Sequence, residues 1–340
     1  MRRDELYIPC TGDTQQDTVV HVRKLEDMYE AIWYMEHAEQ QQQISGLPAS
    51  SLSTKKPNWY GTATMQEAIN LARFGWEEGR RTLLRQIGRV AIDELVGQRL
   101  TFESVSAYSG DEVDIDAFLM GKPDHMLEYP LRYETGGKQA TVFMNCSVPS
   151  YIPAEYIMWR GAAVLVAIEA LRAEGYSLGL TMIETSSGKA DYDSVDHDHA
   201  EPDNQRTIVE YHIPVVRHGG FLDMDKAAFC VANPSFLRRL CFSLAEHESI
   251  DLRKTMGFHK AGTYGRPEKV ASELPPHSFV VDYDDEFKMV GRSKLMDLLI
   301  GSRVSGSTGT LSEKGGLDND EDLQRFAQKI VDRVMAALKL

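Results

Sequence analysis

Cysteine is scarce in this chain: 340 residues hold four, at positions 10, 146, 230 and 241, and no two stand at Cys-x-x-Cys spacing. That excludes a disulfide framework and the common cysteine zinc motifs, and predicts a reduced protein. No apolar run approaches the roughly 20 residues a membrane span needs. The amino-terminal residues do not resemble a signal peptide, so a cytoplasmic location is expected. Basic residues number 37 against 51 acidic ones, a formal charge of −14, and no basic run is present to track a phosphate backbone. Nucleic acid is therefore disfavoured as a partner. Arg80, Arg81, Arg85 and Arg89 read as one solvated helix face. Also missing are a Gly-x-x-x-x-Gly-Lys-Ser/Thr phosphate loop, a Gly-x-Gly-x-x-Gly fingerprint, a Gly-x-Ser-x-Gly elbow and a His-Glu-x-x-His pair. The complete catalytic motifs are thus absent.

What is present is enough apolar side chain, 42%, to bury a real core. In the first 57 residues the pattern predicts one amphipathic helix from about Val20 to Gln43, then a Gly-, Pro- and Ser-rich linker ending at Pro57. Residues 58–133 read as mainly helical. Thr64 with Glu67 matches a capping box, and Leu83 to Leu95 carries a second helical stripe. Between 102 and 133 the carboxylates of Asp111, Glu112, Asp114 and Asp116 lack the closing register of a calcium loop, so they read as a surface acidic loop.

The most ordered stretch is 134–300. Ala140 to Met144 is a short apolar strand, and Asn145 to Ser150 a polar turn. Pro153 then opens a helix that runs to about Glu174, where Gly175 ends it. The apolar residues of that helix cover most of its circumference, which predicts burial on two sides. Leu178 to Ile183 supplies the next strand, parallel to the first. Thr207 to Val216 reads as an edge strand, Asp223 to Val231 as a short helix, and Asn233-Pro234 as the cap and first residue of another. On that helix Arg238 and Arg239 fall outside the apolar face, so they are expected at the surface, where either can bind an anionic group. Ser278 to Tyr283 is a fourth strand, leading to Asp282, Asp284 and Asp285. Residues 301–340 read as a linker and a last amphipathic helix reaching Leu338.

This order of strand, polar turn, long helix, strand, edge strand, helix and strand resembles a von Willebrand factor A-type domain. The implied fold is α/β: a mostly parallel sheet with flanking helices, preceded by a mainly helical region. In that family the turn reads Asp-x-Ser-x-Ser and holds Mg2+ or a similar divalent cation through hard oxygen ligands. The matching positions here are Asn145, Ser147 and Pro149, with Ser150 next in line. Asp282 matches the later Asp, and Thr185 or Ser186 the Thr. Asn145 keeps an oxygen but loses the charge, and Pro149 brings no side-chain oxygen, so the resemblance implies a degenerate ion site. Capping and turn formation are the alternative roles of Asn145 and Ser147.

A second set of pieces is similar to an uncharacterised bacteriophage and actinobacterial family: Gly75-Trp76-Glu77-Glu78-Gly79, Gly110 to Asp114, Arg160-Gly161-Ala162-Ala163 and Asn233 to Arg239. It implies a phage-related origin, with the host cytoplasm as location, and no assigned activity.

Two functions follow as expectations. The first is a protein-binding or assembly protein with a protein partner. The second is a metal-dependent hydrolase of a phosphorylated or nucleic-acid substrate, using Asp282, Asp284, His197 and His199. Cys146, beside a helix start, is a third candidate as a nucleophile.

Overall fold

The computed structural model describes residues 1–9, 17–81, 105–107, 112–113, 115–123, 125–128, 139–150, 152, 154–173, 176–188, 205–217, 220, 223–258, 266–275, 278–282 and 332. Its strands are β1 (Arg2–Ile8), β2 (Asp17–Lys24), β3 (Val105–Ala107), β4 (Glu112–Val113), β5 (Met126–Glu128), β6 (Gln139–Asn145), β7 (Ser177–Ser187), β8 (Gln205–Val216), β9 (Arg266–Pro267) and β10 (Ser278–Val281). Seven of them form one mixed sheet, ordered β1-β2-β8-β7-β6-β10 with β9 added beside the end of β7. The pairs β2/β8, β6/β7 and β6/β10 are parallel, while β1/β2, β7/β8 and β7/β9 are antiparallel. A small sheet, β3-β5-β4, stands apart from it in pairing.

The described helices are α1 (Met28–Glu36), α2 (Ala38–Ser45), α3 (Pro57–Tyr60), α4 (Met65–Phe74), α5 (Ile115–Leu119), α6 (Ala154–Ala173), α7 (Met224–Ala232), α8 (Phe242–Glu246) and α9 (Ile250–Thr255), with a π-helical stretch at Phe236–Cys241. Alternation along each strand divides the sheet into two faces. Val142, Met144, Leu180, Met182, Tyr211 and Ile213 look into the main core with the helices. Val20, Val22 and Ile208 look the other way, into a smaller cluster with Ile8 and Ala271. The all-round apolar surface of α6 is buried as expected, since Ala162, Ala163, Val164, Leu165, Ala167, Ile168 and Leu171 are all in the core. Each such aliphatic side chain larger than Ala contributes about 1.5–3 kcal/mol on burial. Gly161 lets α6 cross α7 closely, because a Cβ there would stand 2.4 Å from the Val231 carbonyl oxygen.

Three expectations change. The single helix from Val20 to Gln43 is a strand and two helices. Val20 to Lys24 pairs with β8. Asp27 then caps α1, its Oδ1 accepting from the Tyr29 and Glu30 amides at 2.8 and 3.0 Å. Five residues of alternating Val and polar side chain satisfy either period, and only the pairing partner decides. The second change is β8, which is interior rather than an edge, because the β1-β2 hairpin continues the sheet beyond it. The third is the stretch 46–56, read as a linker, which holds a 3-10 turn at Ser50–Leu52 with Ser51 buried. The capping box is present: Thr64 Oγ1 accepts from the Glu67 amide at 3.1 Å, and Glu67 reaches back to the Ala63 amide at 2.7 Å. The stripe at 83–95, the Lys294–Ile300 helix, the 301–316 linker and the carboxy-terminal amphipathic helix lie outside the described residues.

Candidate functional site at the strand ends

In an open α/β sheet, ligands gather outside the carboxyl ends of the strands where neighbouring connections diverge. Here β6 is flanked by two parallel strands, β7 and β10. Their registers pair Asn145 with Ile183 and Met144 with Val281, so Asp282 arrives beside Asn145. The Asn145 Nδ2 donates to Asp282 Oδ1 at 2.9 Å and to the Glu268 carbonyl at 2.8 Å. Its Oδ1 accepts from the Ser147 amide at 3.0 Å. Ser147 Oγ accepts from the Thr185 amide at 2.7 Å, and the Thr185 carbonyl accepts from the Glu268 amide at 3.2 Å. Arg160 donates to the Asn145 carbonyl from α6. Asn145, Ser147 and Thr185 are all buried.

Of the four expected ligands, Asn145 and Asp282 are in direct contact, and Ser147 reaches the Asn145 side chain through its backbone amide, its hydroxyl accepting from Thr185 instead. Ser150 does not join them. It is exposed, and its carbonyl accepts from the Trp59 indole Nε1 at 2.9 Å. Thr185 stands beside Ser147 with its Oγ1 buried and without a hydrogen-bond partner, while Ser186 turns to the opposite face. The donor set does not fit a divalent cation as it stands, because Asn145 turns a nitrogen and not an oxygen toward Asp282. All three amide contacts fix that orientation, since two partners are acceptors and one is a donor. An –NH2 group, which has no lone pair to offer a cation, faces the Asp282 carboxylate. Among the described residues, no group of three or more His, Cys, Asp or Glu is placed to hold a metal. Asp284, His197 and His199 lie outside those residues.

The same strand ends carry polar groups the sequence reading missed. Glu268 accepts from Ser187 Oγ at 2.7 Å and pairs with Arg206. Glu210, fully buried on β8, accepts from the Ala271 and Ser272 amides. His212 Nε2 lies 3.2 Å from both Glu210 Oε2 and Ser272 Oγ. Burial alone would raise the Glu210 carboxyl, but hydrogen bonds from His212, Ser272 and Ala271 outweigh it and hold it below its ordinary value. Ser, His and Glu together suggest a nucleophile with its base. Acid and hydroxyl meet the same imidazole nitrogen, though, so the acid cannot orient the ring for a proton relay. The trio instead clamps the 266–275 segment onto the sheet. Its signal in the sequence was Glu210 and His212 two apart inside an apolar strand.

One protein-family model matches residues 11–289. The chain belongs to DUF7192, a domain of unknown function. No curated protein and no solved structure matches it. The DUF7192 region runs from before β2 to beyond β10, so it contains the strand-end cluster, the π-helical stretch and every residue named above as a site candidate.

Arg238 and Arg239, expected at the surface, are wholly inside the DUF7192 core, 1% and 0% exposed. Arg238 donates to the Trp59 and Ile152 carbonyls and lies 4.2 Å over the Trp59 ring. Arg239 serves Thr62 Oγ1 and the carbonyls of Ser51, Ser53 and Thr62 at 2.6 to 3.1 Å, with Tyr60 stacked 4.5 Å away. Such planar, many-donor groups satisfy irregular buried backbone that no strand or helix serves. Among the other arginines, Arg80 pairs with Asp225 and Arg81 with Glu77, while Arg85 and Arg89 lie outside the described residues.

On the helix face, Glu184 is a buried carboxyl whose ionisation is pushed up to about 8, first by burial and then by the nearby Glu210 carboxylate. Between its ordinary value of 4.5 and about 8, the folded chain holds a proton that the unfolded chain has lost. Stability from this group therefore falls as pH rises through that window, and the loss is complete above it. Glu184→Gln should remove the slope and be more stable than the parent by about 3 kcal/mol at neutral pH, with little difference below the window. Urea denaturation across the range checks this, and parallel pH profiles for the two proteins would contradict it.

Proposed function

We propose that this DUF7192 chain is a non-catalytic protein-binding or assembly protein, built on a von Willebrand A-like sheet whose ion position has been replaced by an amide. The observation that carries it is the Asn145 contact with Asp282, in which –NH2 donates to the carboxylate that would otherwise face a cation. The strand order β8-β7-β6-β10 supports the reading, since β6 leads through a polar turn and a long helix into parallel β7, and β8 returns antiparallel. A phage-related origin rests on the sequence resemblance alone.

The turn is held at both ends, by Thr185 and Ile183 on one side and Trp59 and Arg238 on the other, so its solvent-facing tip at Pro149 and Ser150 is preorganised, which lowers the entropy cost of binding. Affinity purification from expressing cells should recover a stoichiometric protein partner, and the purified pair should bind equally in Mg2+ and in a chelator. Failure to recover a partner, or Mg2+-dependent hydrolysis of phosphate esters that Asp282→Ala abolishes, would overturn the reading in favour of an enzyme.

A further inference from the structure

The turn after β6 contains one residue that the binding role does not use. Cys146, between Asn145 and Ser147, holds its sulfur 3.9 Å from that of Cys241, the last residue of the π-helical stretch. Both are free thiols, and Cys146 is the more open at 6% exposure against 1%. The third buried cysteine, Cys230, turns toward the Met28 sulfur at 3.8 Å. The Cys146 backbone is pinned by its amide donating to the Ile183 carbonyl at 2.7 Å. Cys241 sits at the end of π-type turns, an irregularity of the kind often found at functional sites. With Cys146 pinned, the remaining approach between the sulfurs is made from the Cys241 side.

We propose that Cys146 and Cys241 form a peroxide-oxidisable pair whose disulfide fastens the strand-end turn to the π-helical stretch. The inference rests on the sulfur geometry and is independent of the binding role. In the first step the Cys146 thiol is oxidised by hydrogen peroxide: sulfur takes one oxygen as the O–O bond breaks, and the other oxygen leaves as water with the thiol proton. The Cys241 sulfur then attacks the sulfenic sulfur, the S–O bond breaks, and a second water carries away the Cys241 proton. Two thiols lose two electrons and one peroxide becomes two waters. Cys146 acts first because it is the more open, and burial holds the Cys241 thiol well above its ordinary value. Burial of both sulfurs excludes a bulky disulfide such as oxidised glutathione, and the 6% exposure at Cys146 is the side from which a small peroxide would reach the pair.

The folded full chain is treated with hydrogen peroxide, quenched, denatured, alkylated and mapped by mass spectrometry. The expected result is a peptide joining Cys146 to Cys241, loss of those two alkylatable thiols with Cys230 still free, reversal by dithiothreitol, and a raised melting temperature. Oxidised glutathione should leave both thiols free. In Cys241→Ser, Cys146 should stop at a sulfenic acid that dimedone traps, whereas Cys230→Ser should still cross-link. The proposal is overturned if peroxide leaves Cys146 and Cys241 fully alkylatable in the wild-type protein, or if the links formed run to Cys230 or Cys10. The wild-type mapping decides even if the Cys241 variant does not fold.

Discussion

Arg239→Met should destabilise the folded chain by about 4 kcal/mol, read as a lower urea midpoint at unchanged slope. Arg239 is 0% exposed, and its guanidinium supplies Thr62 Oγ1 and three carbonyls, of Ser51, Ser53 and Thr62. Methionine restores the volume but no donor, so the buried Ser51 and Thr62 carbonyls lose these bonds, while Thr62 Oγ1 keeps the Ser235 hydroxyl and the half-buried Ser53 carbonyl can turn to water. Burying the charge has a cost of its own, and burial pushes the Arg239 ionisation down. That cost offsets part of the donors' contribution, which is why the expected loss is about 4 kcal/mol and not the sum of four bonds. Arg239→Lys keeps the charge without the fork and should recover only a minor part. If Arg239→Met lay within about 1 kcal/mol of the parent, the segment 50–62 would be held by something other than these bonds. Glu246 offers a second hold on that segment, accepting from the Ser51 amide at 3.0 Å. The Arg239 and Ser51 effects should therefore be non-additive.

The second large effect is expected at the strand ends. Asn145→Asp removes both Nδ2 donations and sets a second carboxylate against Asp282, at a site where the contact is now 2.9 Å. In a chelator the variant should be less stable by about 3 kcal/mol, because one carboxyl must take a proton or repel its neighbour. Adding Mg2+ or Mn2+ should restore much of this, since two facing carboxylates form a hard-oxygen pair. The parent should show no divalent-cation shift in melting temperature. Equal stability of variant and parent in chelator, or an equal Mg2+ shift in both, would count against the view that the amide has replaced the ion.

These two residues also mark how far the chain could be read without its fold. The β6-turn-α6-β7 unit was legible because its signals are local: an apolar run, a polar turn and an all-round apolar helix ended by Gly175. The strand end at Asn145, the capped starts at Thr64 and Asn233, and the later strand at 278–281 came from the same kind of signal. The meeting of Asn145 and Asp282 was anticipated through the family resemblance, and the parallel register of β6 and β10 brings it about. The direction of the Asn145 amide was not legible. It depends on Glu268, which is 123 residues away and is delivered by the segment after β9.

Arg238 and Arg239 failed in the opposite sense. A charged pair outside the apolar stripe of a helix reads as solvated, and nothing local says that the carbonyls of 51–62 and 152 will surround it. The same holds for Val20 to Lys24, whose alternation became a strand only when β8 offered an edge. By itself, then, the sequence determined the elements of the β6-turn-α6-β7 unit, its α/β class and the absence of complete catalytic motifs, because those follow from period, caps and composition over a few residues. Tertiary structure alone decided the position of β8 inside the sheet, the burial of the arginines and the direction of the Asn145 amide. Each of those depends on groups that meet only when distant segments pack and every buried polar atom must find a partner.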